Sequence, residues 1–538
     1  MKVTQYVGLT AEEQGAQSAQ RAAENAKGKR SLDCLSLHRF LGVRCAFPVK
    51  VLHFFLSNPN RASSMRKQLI IFWLGAGAVL AGCAVGPNYQ RPATVDVSNY
   101  KEAEGWVPAA PADALDRGPW WLLFGDPLLD DLQSRVEVSN QNVAIAVAAY
   151  AQARALVREQ RASLFPVVSL DAGASRSGSG SNSRAATLSS GGRVGNNYQL
   201  SIGGSWEPDV WGRLGRVGEG ANAGAQASAA DLASALLSSR GELAVNYFAL
   251  RQTDAQKALL EATLTGYQRT LEIAQNRYTA GIAAKTDVLQ AQSQLASAKA
   301  ENAGLVRTRA QLEHAIAVLV GEAPGNFAIA PQTYAAWKPV VPDVPVGLPS
   351  TLLQRRPDIA AAERRVASAN EQIGIAKSAY YPSLSLSASY GSGASTVANL
   401  FNASNSVWSL GLSAAQALFN AGATSARVDG AQAAHEQTVA RYRQTVLVAF
   451  ADVEDQLAAT RVLLTQQELR REASLAADQV EQQVLNRYRS GQVGFTEVIT
   501  AQATALNARR ALVQVMADRQ TTAVALIQSL GGGWRMGS

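Results

Sequence analysis

The chain has 538 residues, of which 47% are hydrophobic and 17% are charged, and its formal net charge is +8. Basic residues are scattered among acidic ones along helical stretches and form no basic face with aromatic residues, which argues against a nucleic-acid partner. Three cysteines without a CxxC pair and four isolated histidines argue against a metal site or a disulfide framework. Since no catalytic triad spacing, P-loop or metal cluster occurs, we expect no enzymatic activity.

The first predicted element is a signal peptide over residues 65–82. In the stretch MRKQLIIFWLGAGAVLAGC, a basic start precedes an apolar run that is too short for a comfortable membrane span. An uncleaved hydrophobic anchor is the alternative, but the ending LAGC is similar to the bacterial lipobox. That resemblance implies that Cys83 is the mature N-terminus and carries S-diacylglycerol and N-palmitoyl chains, which together anchor stably. Because Ala84 follows in place of an aspartate, it also implies the outer membrane.

Residues 1–64 precede this signal peptide, although a signal peptide is expected at the start of a protein. We therefore expect Met65 to be the true initiator and residues 1–64 to be a misassigned extension. An extended segment over residues 83–130 follows the signal peptide.

The remainder of the chain contains one unit in two copies. Phe165-Pro166 aligns with Tyr381-Pro382, and NRYTAGIAAKTDVLQAQ aligns with NRYRSGQVGFTEVITAQ further along the chain. The period is far longer than that of a solenoid, so it indicates a duplicated domain. The predicted boundaries are 131–325 for repeat 1, 326–347 for a linker, 348–533 for repeat 2 and 534–538 for a tail.

Each repeat is predicted to run from a long helix into two strands. The helix, over ~131–164 in repeat 1, ends before Pro166 or Pro382 because proline cannot continue helical hydrogen bonding. The hydrophobic period then changes to two, which predicts strands over ~167–175, ~197–207, ~382–391 and ~406–416. Apolar residues alternate with small polar ones, as in a membrane barrel with a wet lumen. By alternation alone, a soluble sheet with one packed face is equally possible.

Long helices follow the strands, and in each repeat the motif NRYxxGxxxxTxVxxAQ separates two of them. Alanine and leucine recur every seven residues from Thr286 to Leu319, a coiled-coil seam that an ordinary amphipathic core explains in part. Gly281 and Gly491 permit a turn, and Thr286 and Thr496 are expected to cap the next helix. The motif is therefore predicted to be the tip of a helical hairpin.

The strand count predicts the assembly. Four strands per chain cannot close a barrel, and an open edge in lipid is costly. Cyclic symmetry is the usual solution, and three chains supply twelve strands. The predicted fold is mainly α with a membrane β-barrel: a trimeric, 12-stranded barrel that continues as a long periplasmic α-helical barrel.

Four motifs in order carry a family resemblance. They are CAVGPNYQRP (83–92), PWWLLFGDPLLDDL (119–132), EPDVWGRL (207–214) and QRRPDIAAAE (354–363). With them the chain resembles the outer-membrane-factor family of the TolC and OprM type, in its lipoprotein, NodT-like branch of RND-type efflux channels. The resemblance covers residues ~83–533.

This resemblance implies a homotrimeric outer-membrane channel that joins a periplasmic adaptor and an inner-membrane RND-type pump. Such a channel exports drugs or other toxic small molecules and needs no cofactor. The runner-up is the exit duct of a type I protein-secretion system. A structural periplasmic coiled-coil lipoprotein is the alternative from another class, but it leaves the alternating strands unexplained.

The resemblance also assigns candidate gate residues. A link between Tyr488 and Asp287 matches a closure of the periplasmic end, and Glu497 matches one position of an acidic ring. Helix capping by Asp287 and packing by Tyr488 is the plainer interpretation. Thr500 and Val493 depart from the acidic and arginine positions of the family, so we expect a less charged ring and the loss of one link.

Two further sets of residues are candidate contacts. The tip residues expected to touch the adaptor are Tyr278, Gly281, Tyr488 and Gly491. Trp206 and Trp408 are candidates for the membrane interface, where amphipathic rings are enriched, or for packing within the sheet.

Overall fold

The computed structural model describes residues 84–93, 100–102, 119–178, 194–342, 344 and 355–532. In repeat 1 the elements are α1 (Pro127–Ser139), α2 (Gln141–Ala162), β1 (Val167–Gly178), β2 (Val194–Trp206), α3 (Arg213–Thr279) and α4 (Lys285–Leu319). In repeat 2 they are α5 (Pro357–Ser378), β3 (Ser383–Ala394), β4 (Ser406–Ala415), α6 (Ala423–Arg489) and α7 (Phe495–Ser529). Short 3-10 helices cover Trp120–Phe124, Pro324–Asn326, Tyr334–Ala336, Val397–Asn399 and Ala403–Asn405.

Several predictions concern other parts of the chain. The extension, the signal peptide, Cys83 and the tail lie outside the described residues. Within the described ranges, we find no helix that is both long and apolar enough to cross a membrane.

The four predicted strands are confirmed, and they form one antiparallel sheet in the order β1-β2-β3-β4. Each repeat contributes one hairpin, and β2 of repeat 1 pairs with β3 of repeat 2. The two hairpins have equivalent registers: Val167 opposes Ser205 in repeat 1, and Ser383 opposes Ala415 in repeat 2. The strands therefore share the duplication seen in the sequence.

The first helix of repeat 1 is interrupted, which corrects the prediction of one helix over ~131–164. Asn140 has an extended backbone between α1 and α2, and its Oδ1 accepts hydrogen bonds from the amides of Asn142 and Val143 at 2.9 and 3.1 Å. Its Nδ2 donates to the carbonyl of Leu319 at 2.7 Å. Because Asn is a good helix N-cap, it begins a new helix here and ties that helix to the end of α4.

The helical hairpins match closely in length. Both α3 and α6 have 67 residues, and both α4 and α7 have 35. At 1.5 Å per residue these are rods of about 100 Å and about 50 Å. Ala291, Leu295 and Ala298 of the predicted seam are buried, which confirms the packed face of α4.

The main hydrophobic core joins the N-terminal motif to both repeats. Trp120, Trp121 and Phe124 of PWWLLF are buried in a cluster that includes Tyr247 and residues of α6 and α7. Asp126 then begins α1 by accepting amide hydrogen bonds within its first turn, and it also accepts the Tyr247 hydroxyl at 2.5 Å. The motif is thus explained by packing and by helix capping.

Residues 84–93 form an N-terminal strap across α3, α5 and α6. The Val85 amide donates to the Trp211 carbonyl at 3.1 Å, at the start of α3. Beneath the strap, Arg216 and Glu371 form a buried ion pair of 2.6 Å. The Arg216 guanidinium also donates to the carbonyls of Gly86 and Pro87, at 3.3 and 3.2 Å. The strap is therefore fixed to the helices by a buried charge.

Candidate channel tip and membrane-facing sheet

One face of the sheet is apolar and uncovered. The register aligns four large side chains in a row across the strands: Leu170, Ile202, Tyr390 and Trp408. The neighbouring row on the opposite face holds small residues: Ser169, Gly203, Ser389 and Ser409. All four large side chains are exposed, so no hydrophobic core formed by the described residues covers the apolar face. These strands therefore do not pack one face on a core of their own chain, and the pattern is that of a wall between lipid and a polar lumen.

The same sheet has two open edges. In the described part of the chain, β1 pairs only with β2, and β4 pairs only with β3. Each edge strand has at least ten residues, and among the described residues its outward side has no partner strand. Such an edge is a template for another strand, and in lipid it must be paired.

The two tryptophan candidates differ in their surroundings. Trp206 is half-buried at the base of β2, and its Nε1 donates to the Leu164 carbonyl at 2.9 Å. It therefore connects the strand to the end of α2. Trp408 is exposed on the apolar face. Contact of either ring with the membrane interface stays a prediction.

The NRYxxG motif forms the same turn in both repeats. Gly281 and Gly491 have φ of +73° and +77°, which favour glycine. The amides of Ile282 and Gln492 reach back to the carbonyls of Arg277 and Arg487, each at 2.9 Å. This is the glycine C-cap that ends a helix and satisfies its last carbonyls, so the predicted hairpin tips are confirmed.

The expected threonine caps are wrong. α4 and α7 begin one residue before Thr286 and Thr496, with Ala284 and Gly494 at the N-cap positions and no side-chain capping bond. Both threonines therefore lie inside the first turn. The acidic residues that follow them do lie in that turn, where the helix dipole favours negative charge.

Tyr488 lies inside the tip instead of on its surface. It is 3% exposed and packs in a cluster with Ala274, Ala291, Phe495 and Val498. The Phe495 ring lies 5.5 Å from its own. In the single chain its side chain is thus not presented to an adaptor, unlike the exposed Tyr278.

The expected link between Tyr488 and Asp287 is not formed as a hydrogen bond. The Tyr488 hydroxyl has no partner among the described residues. Burial raises the pKa of Tyr488; the Arg277 guanidinium opposes that rise, and the Asp287 carboxylate adds to it. Asp287 is thus close enough to act on the phenol through its charge, and its role in the gate stays a prediction. Glu497 is exposed nearby.

Arg277 makes a polar contact between the two tips, and the sequence analysis missed it. Its guanidinium donates to the carbonyl of Tyr488 at 2.6 Å and lies 4.7 Å from the centre of the Tyr488 ring. A charge-assisted hydrogen bond combined with a cation–π contact is stronger than either alone. The signal was present in the sequence, because an arginine precedes the tyrosine in both copies of the motif.

A cleft of about 670 Å³ separates the two tips. Residues from α3 and from both turns line it: Arg269, Glu272, Ile273, Asn276, Arg277, Ile282, Arg489, Ser490 and Gly491. Three guanidinium groups and one carboxylate give it a positive character. Gly491 lines this cleft, and Tyr278 and Gly281, which are exposed, belong to the same turn as its lining residues Arg277 and Ile282.

Comparison with known proteins identifies this architecture. The sequence matches the family described as "Outer membrane efflux protein" over residues 132–322 and 348–532, which are the two repeats. It is 31% identical to the "Probable efflux pump outer membrane protein TtgC" of Pseudomonas putida over 463 residues, covering 85% of this chain and 94% of that protein. It is 28% identical to the "Cation efflux system protein CusC" of Escherichia coli, covering 85% and 97%.

A solved structure agrees with these matches. The outer-membrane channel OprN superposes with a TM-score of 0.76 at 29% identity, covering 84% of this chain and all of that one. These matches confirm the predicted family. They also confirm the predicted fold, a helical barrel with a β domain, and the predicted role as an outer-membrane efflux channel. The chain belongs to the outer membrane efflux protein family.

Proposed function

We propose that three copies of this chain form the outer-membrane channel of a tripartite efflux system. A periplasmic adaptor and an inner-membrane RND-type pump complete the pathway, and drugs or other toxic small molecules leave through the lumen. The observation that carries the proposal is the exposed apolar row of the sheet, which ends at two unpaired edges.

Closure by copies of the same chain follows from these edges. In a barrel, β4 of one copy pairs with β1 of the next, which satisfies the backbone groups that a single chain leaves open. Three copies supply twelve strands, within the range of outer-membrane barrels. The long rods α3 and α6, of about 100 Å, then extend the wall of the pore away from the membrane.

The N-terminal strap supports a lipid anchor at Cys83. The Val85 amide is hydrogen-bonded to Trp211, five residues after the end of β2, so the strap begins where the sheet meets the helices. A lipid on the preceding cysteine would enter the membrane at the base of the barrel. We infer S-diacylglycerol and N-palmitoyl groups there, because two or more acyl chains anchor stably.

The tips are the surface that we assign to the adaptor. Tyr278, Gly281 and Gly491 are exposed at the far end of the rods from the sheet. The positive cleft between the tips offers guanidinium groups for acidic side chains. The exit duct of a type I protein-secretion system uses the same architecture and differs in its partners. A purely structural lipoprotein would have no use for the lipid-facing sheet.

To test the proposal, the mature chain is purified from outer membranes in detergent. The mass of the assembly is then measured, and its conductance is recorded in planar bilayers. A trimer that conducts supports the proposal, whereas a monomer that is electrically silent refutes it. Drug susceptibility in an efflux-deficient strain that expresses the chain with an adaptor and an RND pump tests the tripartite role. Secretion of a protein with no change in susceptibility would instead identify the type I duct. In the same cells, Cys83→Ser should shift the protein out of the lipid-labelled fraction.

A further inference from the structure

The polar face of the sheet carries one charged side chain in the strands that the structure describes. The register assigns every second residue of each strand to this face, which includes Ser169 and Ser389. Most of these residues are serine or glycine, and Asp171 is the charged one. Arg176, the other charged residue of the strands, belongs to the opposite, apolar face. The wall of the lumen is therefore small and neutral except at Asp171.

The fold of the hairpin does not require this carboxylate. Asp171 is exposed, and within the described ranges its hydrogen bond is the one that the Ser169 hydroxyl donates to its Oδ2 at 3.0 Å. In repeat 2 the residue at the same distance from the preceding proline is Ser387. The two hairpins have equivalent registers, so the same strand geometry forms with and without the charge. The carboxylate is left to act on solutes in the lumen.

Asp171 lies at a level of the sheet that faces lipid on its other side. Its neighbours along β1, Leu170 and Ala172, belong to the apolar face, and Leu170 is 72% exposed. A strand rises about 3.3 Å per residue, which places Asp171 about 13 Å along β1 from Val167. In a trimer, three such carboxylates occupy one level of the pore. They form a ring of negative charge inside a wall that has hydrocarbon behind it.

We propose that Asp171 makes the β-barrel selective for cationic solutes. Because the proposal rests on the trimeric channel proposed above, it names the class of substrate that the outer-membrane section of that channel favours. Rings of acidic side chains give pores a preference for cations. A lumen with charge of one sign and low-dielectric walls concentrates ions of the opposite sign. Organic and inorganic cations should therefore pass the barrel more readily than anions of similar size.

The selectivity should depend on ionic strength. The Debye length is about 10 Å at 0.1 M salt and about 3 Å at 1 M. The field of the Asp171 ring therefore extends into the lumen at 0.1 M and stays close to the wall at 1 M. We expect the permeability ratio of K⁺ to Cl⁻ to exceed one several-fold in dilute salt and to approach one in concentrated salt.

The test is the reversal potential of the trimer in planar bilayers under a KCl gradient. Charges at the hairpin tips also act on permeating ions, so the comparison is between variants that differ only in the barrel. Asp171→Asn should lower the permeability ratio of K⁺ to Cl⁻ several-fold. Ser387→Asp should raise it, because a second ring of carboxylates is added at the corresponding level. Asp171→Asn/Ser387→Asp should return the ratio to that of the unaltered channel. Tetraethylammonium and benzenesulfonate, used in place of K⁺ and Cl⁻, should give the same order for organic ions.

The matched control is Arg176→Gln, which removes the charge that β1 carries on its apolar face and should leave the permeability ratio unchanged. The mass of each variant in detergent checks that it forms trimers. If the channel conducts but Asp171→Asn and Ser387→Asp leave the ratio unchanged, the selectivity proposal is wrong while the proposed function stands. A shift with Arg176→Gln as large as that with Asp171→Asn also overturns it. A silent monomer overturns both proposals.

Discussion

Replacing Arg216 by methionine should destabilise the chain more than any exposed arginine does. The side chains of Arg216 and Glu371 are 4% and 9% exposed, with 2.6 Å between nitrogen and oxygen. Removing one partner of a buried ion pair costs about 3–5 kcal/mol, because the other charge stays buried. Here Glu371 would retain the Asn370 amide at 3.1 Å, and the Gly86 carbonyl would lose the guanidinium donor. We therefore expect a loss of about 3–5 kcal/mol and a looser strap.

The assay is denaturant unfolding of the purified protein in detergent, followed by circular dichroism, together with limited proteolysis of the strap. Arg365→Met is the matched control, because Arg365 pairs with Asp231 between the same two helices but both side chains are about half exposed. Such a pair contributes about 0–1 kcal/mol. The double variant Arg216→Met/Glu371→Leu should regain most of the loss, since no charge is left buried. A cost for Arg216→Met equal to that for Arg365→Met would refute the reasoning.

Three further predictions concern stability. Burial raises the pKa of the Asp130 carboxyl, so the folded state binds the carboxyl proton more tightly than the unfolded state does. The folded state therefore loses stability as pH rises above about 3.9, the pKa of an unperturbed Asp. Asp130→Asn should stabilise the chain at pH 7 but not at pH 3. Gly321→Ala should lower the free energy of unfolding by more than about 1 kcal/mol, because φ is +75° and a Cβ would meet the Ser139 carbonyl. Gly304→Ala should raise it by about 0.5–1 kcal/mol, because Gly304 lies in a helix with open space around it. Phe419 is 90% exposed near the open edge of the sheet, so Phe419→Ser should lower the dissociation temperature of the trimer, while Phe401→Ser in a distal loop should not.

Each of these has a clear contrary result. Equal effects of Asp130→Asn at both pH values would show that ionisation is not the cause. A neutral Gly321→Ala would show that the turn relaxes without cost. Equal dissociation temperatures for Phe419→Ser and Phe401→Ser would show that Phe419 stays in solvent when copies associate.

The strands and turns were predictable because their signals are local. Proline before each hairpin, a hydrophobic period of two and a glycine at each tip fix those elements within a few residues of their observed bounds. The interruption between α1 and α2 at Asn140 was missed because a helix tolerates an asparagine within an alanine-rich pattern. The hydrogen bond that holds Asn140 in place as a cap goes to Leu319, which is distant in sequence. The threonine caps failed because α4 and α7 begin earlier than the motif suggests.

The motif did not predict which of its two tyrosines is buried, since both copies contain the same NRYxxG pattern but pack differently. Phe495 stands where the first copy has Lys285, and its ring helps to bury Tyr488, while Tyr278 remains exposed. The buried pair of Arg216 and Glu371 was likewise invisible, because its partners are 155 residues apart and each lies in an ordinary helical pattern.

The N-terminal strap has a consequence for the order of folding. Tyr89 bonds to Glu363 and Arg91 to Tyr442, partners that lie 274 and 351 residues later. Such contacts have high contact order, and the loop that they close costs entropy before they form. The segment that leaves the ribosome early therefore docks last, after α5 and α6 have assembled. A chain in which α5 and α6 have not yet assembled would keep residues 84–93 undocked. Cleavage of this strap by a protease would therefore report unfinished folding.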